Sequence, residues 1–417
     1  MIEVLRSSWK LADIRFKIFF TIAMLLVFRI GVHIPVPGID RQVIADLISQ
    51  GQLLGFFDVI SGGAFKNFSI FAMSITPYIN ASIIMQLLTV VIPYFERLSK
   101  EPDGRKKMAQ YIRYGTVILG FVQAVGISFG LRHAVVNPGP ATTLIIAITL
   151  TAGTAFLMWL GELITEKGIG NGISLIIFAG IVSRVPQGVA SIIEYVKVGT
   201  ASIFVVLLFI IIALAVMAGI VAIQEGQRRI PVQYSKRVVG RKVYGGQSTY
   251  IPLKVNQAGV IPIIFAISIL MFPGTIAAWF PENSFAIWIT KVFDFNSWWY
   301  QAIYALVIMF FTYFYTAITF NPNDVADNMK KYGGFIPGLR PGRPTAEYIE
   351  KVANRVTFAG AIFLALIAVL PSLLISVTAL PVYYGGTSLL IVVGVALDTM
   401  KQLEANLMMR HYQGFLK

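Results

Sequence analysis

Ten stretches of this chain are apolar over all or most of the length needed to cross a lipid bilayer, and that property removes most folds from consideration. A helix needs about 20 mostly apolar residues to span a hydrocarbon core of about 30 Å. Eight runs come close to or exceed that length, near residues 18–36, 71–93, 114–131, 142–161, 202–223, 257–278, 300–320 and 356–378. Two shorter runs, 172–183 and 387–400, stop at Arg184 and Lys401. Either can extend by a turn or two past its charge, because Arg and Lys side chains snorkel. The composition agrees: 56% of residues are hydrophobic and 13% charged, where a soluble domain carries about 25% charged. The expected class is an all-α polytopic membrane protein of ten helices. The first run lacks the short apolar core and small-residue cleavage site of a removable signal, so it is expected to remain as a helix.

Orientation follows from the placement of Lys and Arg, which concentrate in cytoplasmic loops. With the N-terminus inside, the inner segments hold 27 of the 34 basic residues and the outer segments hold 6. Both termini are therefore expected in the cytoplasm. The net charge of +14 is then mainly a topology signal, and DNA binding is not expected. Trp159, Trp279, Trp288, Trp298 and Trp299 fall near span ends, as an interfacial aromatic belt would place them.

Ten spans divide into two sets of five, and an odd number per set forces opposite orientations. Pro77 lies inside the second span of the first set and Pro262 at a similar depth in the second span of the other. The last span of each set is the short one, with Gly168, Gly170 and Gly172 or Gly385 and Gly386 at its start. Interruptions at matching positions point to an inverted repeat around a central path. The alternative is that membrane helices simply carry more Gly and Pro.

Three connecting stretches stand out. Residues 224–256 carry Arg228, Arg229, Lys236, Arg237, Arg241 and Lys242, and residues 321–355 carry Arg340 at a tip stiffened by Pro337, Gly338, Pro341 and Gly342. Such loops are either solvated topology signals or docking surfaces for an acidic or RNA-rich partner. On the other side, the apolar segment Phe56–Phe65 is too short to span. It either lies on the membrane surface or re-enters under cover of protein or a water-filled cavity.

The chemistry that is missing narrows the function. The chain has no Cys and three His, which argues against thiol catalysis and Cys/His zinc sites. It has no phosphate-binding Gly-rich loop with Lys-Ser/Thr and no His-Glu-x-x-His. Coupled transporters bury ionisable groups along their path, whereas here the spans hold only Arg29 near one end and Glu162 and Asp398 near the other. No cofactor, metal or catalytic residue is expected. The reading left standing is a passive path driven from outside, with a secondary transporter of small solutes as the alternative.

Several stretches together resemble the SecY family, the central channel subunits of the Sec protein translocase. They are residues 29–40 (RIGVHIPVPGID), 61–93 (SGGAFKNFSIFAMSITPYINASIIMQLLTVVIP), 157–181 (LMWLGELITEKGIGNGISLIIFAGI), 225–230 (EGQRRI), 247–266 (QSTYIPLKVNQAGVIPIIFA), 333–342 (GGFIPGLRPG) and 384–393 (YGGTSLLIVV). They run in family order over nearly the whole chain.

The resemblance implies two pseudo-symmetric halves, residues 1–192 and 193–417, around an hourglass pore in the bacterial plasma membrane. It places a waist ring on Ile75, Ile79, Ile173, Ile177, Ile264 and Ile391, where an apolar collar would shed water and resist ion flow. It makes residues 57–66 a movable plug, including Phe57, Ser61, Gly62, Gly63 and Phe65. It implies a lateral gate between spans 2–3 and 7–8, with Gln86 and Asn256 as polar positions, whose pairing across a seam would be worth about 0.6–2 kcal/mol. The basic loops, with Arg340, become the docking site for the SecA motor and the ribosome. Implied partners are SecE, SecG, signal-peptide-bearing preproteins and membrane lipid. The implied function is export of unfolded proteins and lateral insertion of membrane helices.

Overall fold

The computed structural model describes residues 9, 11–40, 42–44, 58, 61–199, 202–234, 237–239, 242–244, 248–277, 283–293, 297–378 and 386–414. The helices are α1 Ala12–Gly31, α2 Thr76–Val91, α3 Pro93–Lys100, α4 Gly104–Gly130, α5 Pro140–Lys167, α6 Gly172–Lys197 and α7 Ile203–Glu225. They continue as α8 Ile261–Ala277, α9 Ser284–Val292, α10 Trp298–Thr319, α11 Pro322–Lys331, α12 Arg343–Thr378 and α13 Gly386–Gly414. Among the described residues, six stretches pass by length and composition as membrane spans: α4, α5, α6, α7, α10 with α11, and Arg343–Leu370 of α12. A seventh arises if α2 and α3, bent by 102° where Pro93 opens the second helix, act as one. The chain is thus a mostly helical, multi-pass membrane protein. Three further apolar helices are α1, which carries Asp13, Arg15, Lys17 and Arg29 along its 20 residues; α8, 17 residues long; and α13, interrupted by Asp398 and Lys401.

Two spans expected to be short are long. Helix α6 runs 26 residues, through Arg184 and Pro186, and α13 runs 29 residues, through Lys401. Each charge is accommodated by a partner: Arg184 pairs with Asp58, and Lys401 Nζ lies 2.7 Å from Glu225 Oε1 at the end of α7. The division at 192/193 therefore falls inside α6. The two prolines also play a different part from the one expected. Pro77 and Pro262 each occupy the second position of a helix, α2 and α8, where a missing N–H costs nothing. Residues 71–75 ahead of α2 are turns, with Ser74 at φ +51°.

Helices α1, α2, α4, α5 and α6 pack on one another, as do α7, α8, α10, α12 and α13. The two sets meet chiefly along α2–α8 and α4–α8 on one side and α6–α13 on the other. A single apolar core, holding Phe28, Leu157, Ile176, Ile263, Ile308, Leu364 and Leu390, runs through both sets.

The class is not purely α. Strands β1 Gln227–Tyr234, β2 Arg237–Val239, β3 Lys242–Tyr244, β4 Ser248–Lys254 and β5 Gly334–Phe335 build two small sheets. In the larger, β1 is central: Gln227 faces Lys254 and Gln233 faces Ser248 of β4, while Gln233 and Tyr234 face Phe335 and Gly334 of β5. Alternate residues Ile230 and Val232 point into a satellite core with Leu253, Met329, Ile336 and Ile349. The two basic loops, distant in sequence, are one folded layer.

Candidate functional site

Between the two helix sets lies an open cavity of about 550 Å³. Helix α2 contributes Tyr78, Ile79, Ser82 and Gln86; α4 and α5 contribute Arg113, Glu162 and Glu166; α6 contributes Ile173, Ser174 and Ile177; and α8 contributes Ile261, Ile264 and Phe265. One part of its wall is thus charged and the other is isoleucine. Ile79, Ile173, Ile177 and Ile264 line this cavity, while Ile75 and Ile391 are 1% and 2% exposed in the same apolar core. All six residues therefore belong to one cluster, gathered from the turn before α2 and from α2, α6, α8 and α13. Gly161 makes room for one of them: a Cβ there would stand 2.5 Å from Ile173 Cδ1.

Within residues 57–66, the described Asp58 and Ser61–Lys66 are largely buried against protein, with Ser61 at 2% exposure and only Lys66 exposed. Phe57 lies outside the described residues; Phe65 is buried beside Phe68. Gly62 and Gly63 adopt φ of +66° and +93°, and a Cβ on Gly62 would come within 2.7 Å of Gly180 Cα. Arg29 of α1 donates from Nη1 to the Gly62 carbonyl at 2.7 Å, and Arg184 of α6 forms an ion pair with Asp58. The Lys66 amide donates to Asp58 Oδ1 at 2.7 Å, and the Phe65 amide donates to Ser61 Oγ at 3.2 Å. Removing one partner of a buried pair such as Arg184–Asp58 costs about 3–5 kcal/mol, because the other charge is left uncompensated.

Gln86 and Asn256 are not paired with each other. Gln86 Nε2 donates to Ser82 Oγ at 3.3 Å within α2, and Asn256 Nδ2 donates to the Gly259 carbonyl at 2.9 Å just before α8. The buried Asn256 Oδ1 has no hydrogen-bond partner. Contact along α2–α8 therefore owes nothing to a Gln86–Asn256 bond.

On the small sheet, Arg228 and Arg229 are exposed on β1, and the Arg229 guanidinium sits 4.7 Å from the centre of the Tyr250 ring. Arg340 is exposed on the turn after β5, flanked by Gly338 at φ +82° and Gly342 at φ +106°, and its carbonyl accepts a 2.8 Å bond from Thr345 Oγ1. Arg237 and Lys242 stand on the β2–β3 hairpin; Lys236 and Arg241 lie outside the described residues.

Residues 69–400 match the sequence profile of the SecY family. The chain belongs to the SecY family. Protein translocase subunit SecY of Halalkalibacterium halodurans is 50% identical over 432 residues, covering 100% of both chains. Among solved structures, a protein-conducting channel superposes with a TM-score of 0.64 at 19% identity, over 94% of this chain and 92% of that one. Sec61 from the canine ribosome–channel complex superposes with a TM-score of 0.60 at 18% identity, over the same 94% and 92%.

Two features of this SecY-family chain escape reading of the sequence. The first is the set Asp58, Arg184 and Arg29. A signal is present, since an ionisable residue in or beside a span asks for a partner, and Asp58 is the lone acid of residues 57–66. The second is the sheet joining the basic loops. The alternation Ile230-Pro231-Val232 marks a strand, which the flanking charges mask.

Proposed function

We propose that this chain is the protein-conducting channel of a Sec translocon, passing unfolded preproteins across the bacterial plasma membrane and releasing membrane helices sideways into lipid. The observation that carries the reading is the cavity between the two helix sets, lined on one side by Ile79, Ile173, Ile177 and Ile264. An apolar constriction excludes water and ions while giving a passing peptide no polar group to bind.

In this reading ten helices (α1, α2, α4, α5, α6 and α7, α8, α10, α12, α13) span the membrane as two inverted halves that part between Lys197 and Ile203, with both termini cytoplasmic. The six isoleucines form the waist, residues 57–66 the plug, and the α2–α8 seam the lateral exit. The sheet bearing Arg228, Arg229 and Arg340 faces the cytoplasm as the platform for a SecA motor or a ribosome. SecE would brace the halves and SecG would lie at the periphery. The likeness to a Sec61 channel solved with a ribosome supports the platform reading. A transporter of small solutes is disfavoured because the isoleucine part of the wall offers no ligand for an ion or solute, and on the charged part Arg113 is paired with Glu162.

The test is reconstitution of the chain with SecE and SecG in liposomes, with SecA, ATP and a signal-bearing precursor. Protease-protected, full-length precursor is the expected product. Failure to protect it, with the complex intact and SecA active on a known translocon, would overturn the reading.

A further inference from the structure

We infer that Asp58 is a positioning residue that latches the outer segment in its sealing place, through its ion pair with Arg184. The inference rests on the reading of residues 57–66 as a plug. Three attachments converge on a few residues. The Asp58 carboxylate pairs with Arg184 of α6 and accepts the Lys66 amide, while Arg29 of α1 takes the Gly62 carbonyl. The segment is thus tied to two different helices by directional contacts, and to itself across the Ser61-Gly62-Gly63 turn. The Asp58 and Arg184 side chains are 8% and 14% exposed.

Apolar packing alone would let such a segment slide, because it is non-directional. A buried pair behaves otherwise. It stays strong while both charges are shielded, and neither partner is stable alone in a dry site. Once the segment moves into a water-filled funnel, both charges regain hydration, so the displaced state leaves no buried orphan. That gives two separated states rather than a continuum.

The absence of cysteine from the chain makes a test direct. Ser61→Cys supplies the chain's single thiol, at a site 2% exposed. In the reconstituted complex, a membrane-impermeant maleimide should label it slowly. Adding Asp58→Asn should speed labelling and raise resting ion conductance at least tenfold, and Asp58→Glu should restore most of the seal. Arg184→Gln should match Asp58→Asn, and the double variant should add nothing to either. Parental labelling and conductance in Asp58→Asn overturns the latch. Where Asp58→Asn does not assemble, the same labelling of Arg184→Gln decides. Removal of residues 58–66 separates the two readings. If it opens a leak that Asp58→Asn does not, the latch alone fails; if it opens none, the plug reading fails.

Discussion

Arg113 of α4 donates from Nε to Glu162 Oε1 of α5 at 2.9 Å, on the lining of the cavity between the helix sets. The side chains are 51% and 28% exposed. A pair so open to solvent contributes about 0–1 kcal/mol. Glu162→Gln is therefore expected to lower the thermal midpoint of the purified complex only slightly. A large drop would mean that the pair, and not the apolar contact between α4 and α5, holds this wall together.

The isoleucine lining has a separate consequence. Ile79 and Ile264 are half-buried at the cavity, so truncating either enlarges it without emptying a sealed core. Ile79→Gly and Ile264→Gly are expected to raise single-channel leak in planar bilayers well above the parent. Unchanged conductance in both would remove these residues from the waist. Ile391→Ala, at 2% exposure, is expected to cost about 2–5 kcal/mol by opening a cavity, read as loss of complex in a detergent melting curve.

Arg340 sits on a turn whose two glycines hold backbone conformations that L side chains rarely adopt. Its side chain is exposed, so charge reversal leaves the fold intact. Arg340→Glu is expected to abolish SecA-driven translocation in vitro while the complex purifies in normal yield. Normal translocation would move the docking contact elsewhere on the sheet.

The α2–α8 seam lacks a Gln86–Asn256 bond: Gln86 Nε2 donates to Ser82 within α2 and Asn256 Nδ2 donates to the Gly259 carbonyl. Opening of the proposed gate there would break packing and no Gln86–Asn256 pair. Gln86→Leu is therefore expected to change helix insertion less than twofold. A bifunctional reagent joining cysteines at Gln86 and Asn256 is expected to block insertion. Normal insertion after complete cross-linking would place the exit at another seam.

Hydropathy and charge placement, read along the chain, carried the multi-pass helical class, and the motif run carried the family, because membrane insertion acts on each segment separately. The lengths of α6 and α13 were not legible that way. Arg184 and Lys401 look like stops until Asp58 and Glu225 are brought beside them, and those partners lie far off in sequence. The sheet is similar: β1 and β5 meet only because the chain between them, α8 to α11 included, folds back. The composition of each stretch determined which segments enter lipid and which side their charges favour. Tertiary structure alone decided which charges are neutralised, which isoleucines share a cavity and which loops become one surface. Those outcomes depend on contacts between residues that no local pattern links.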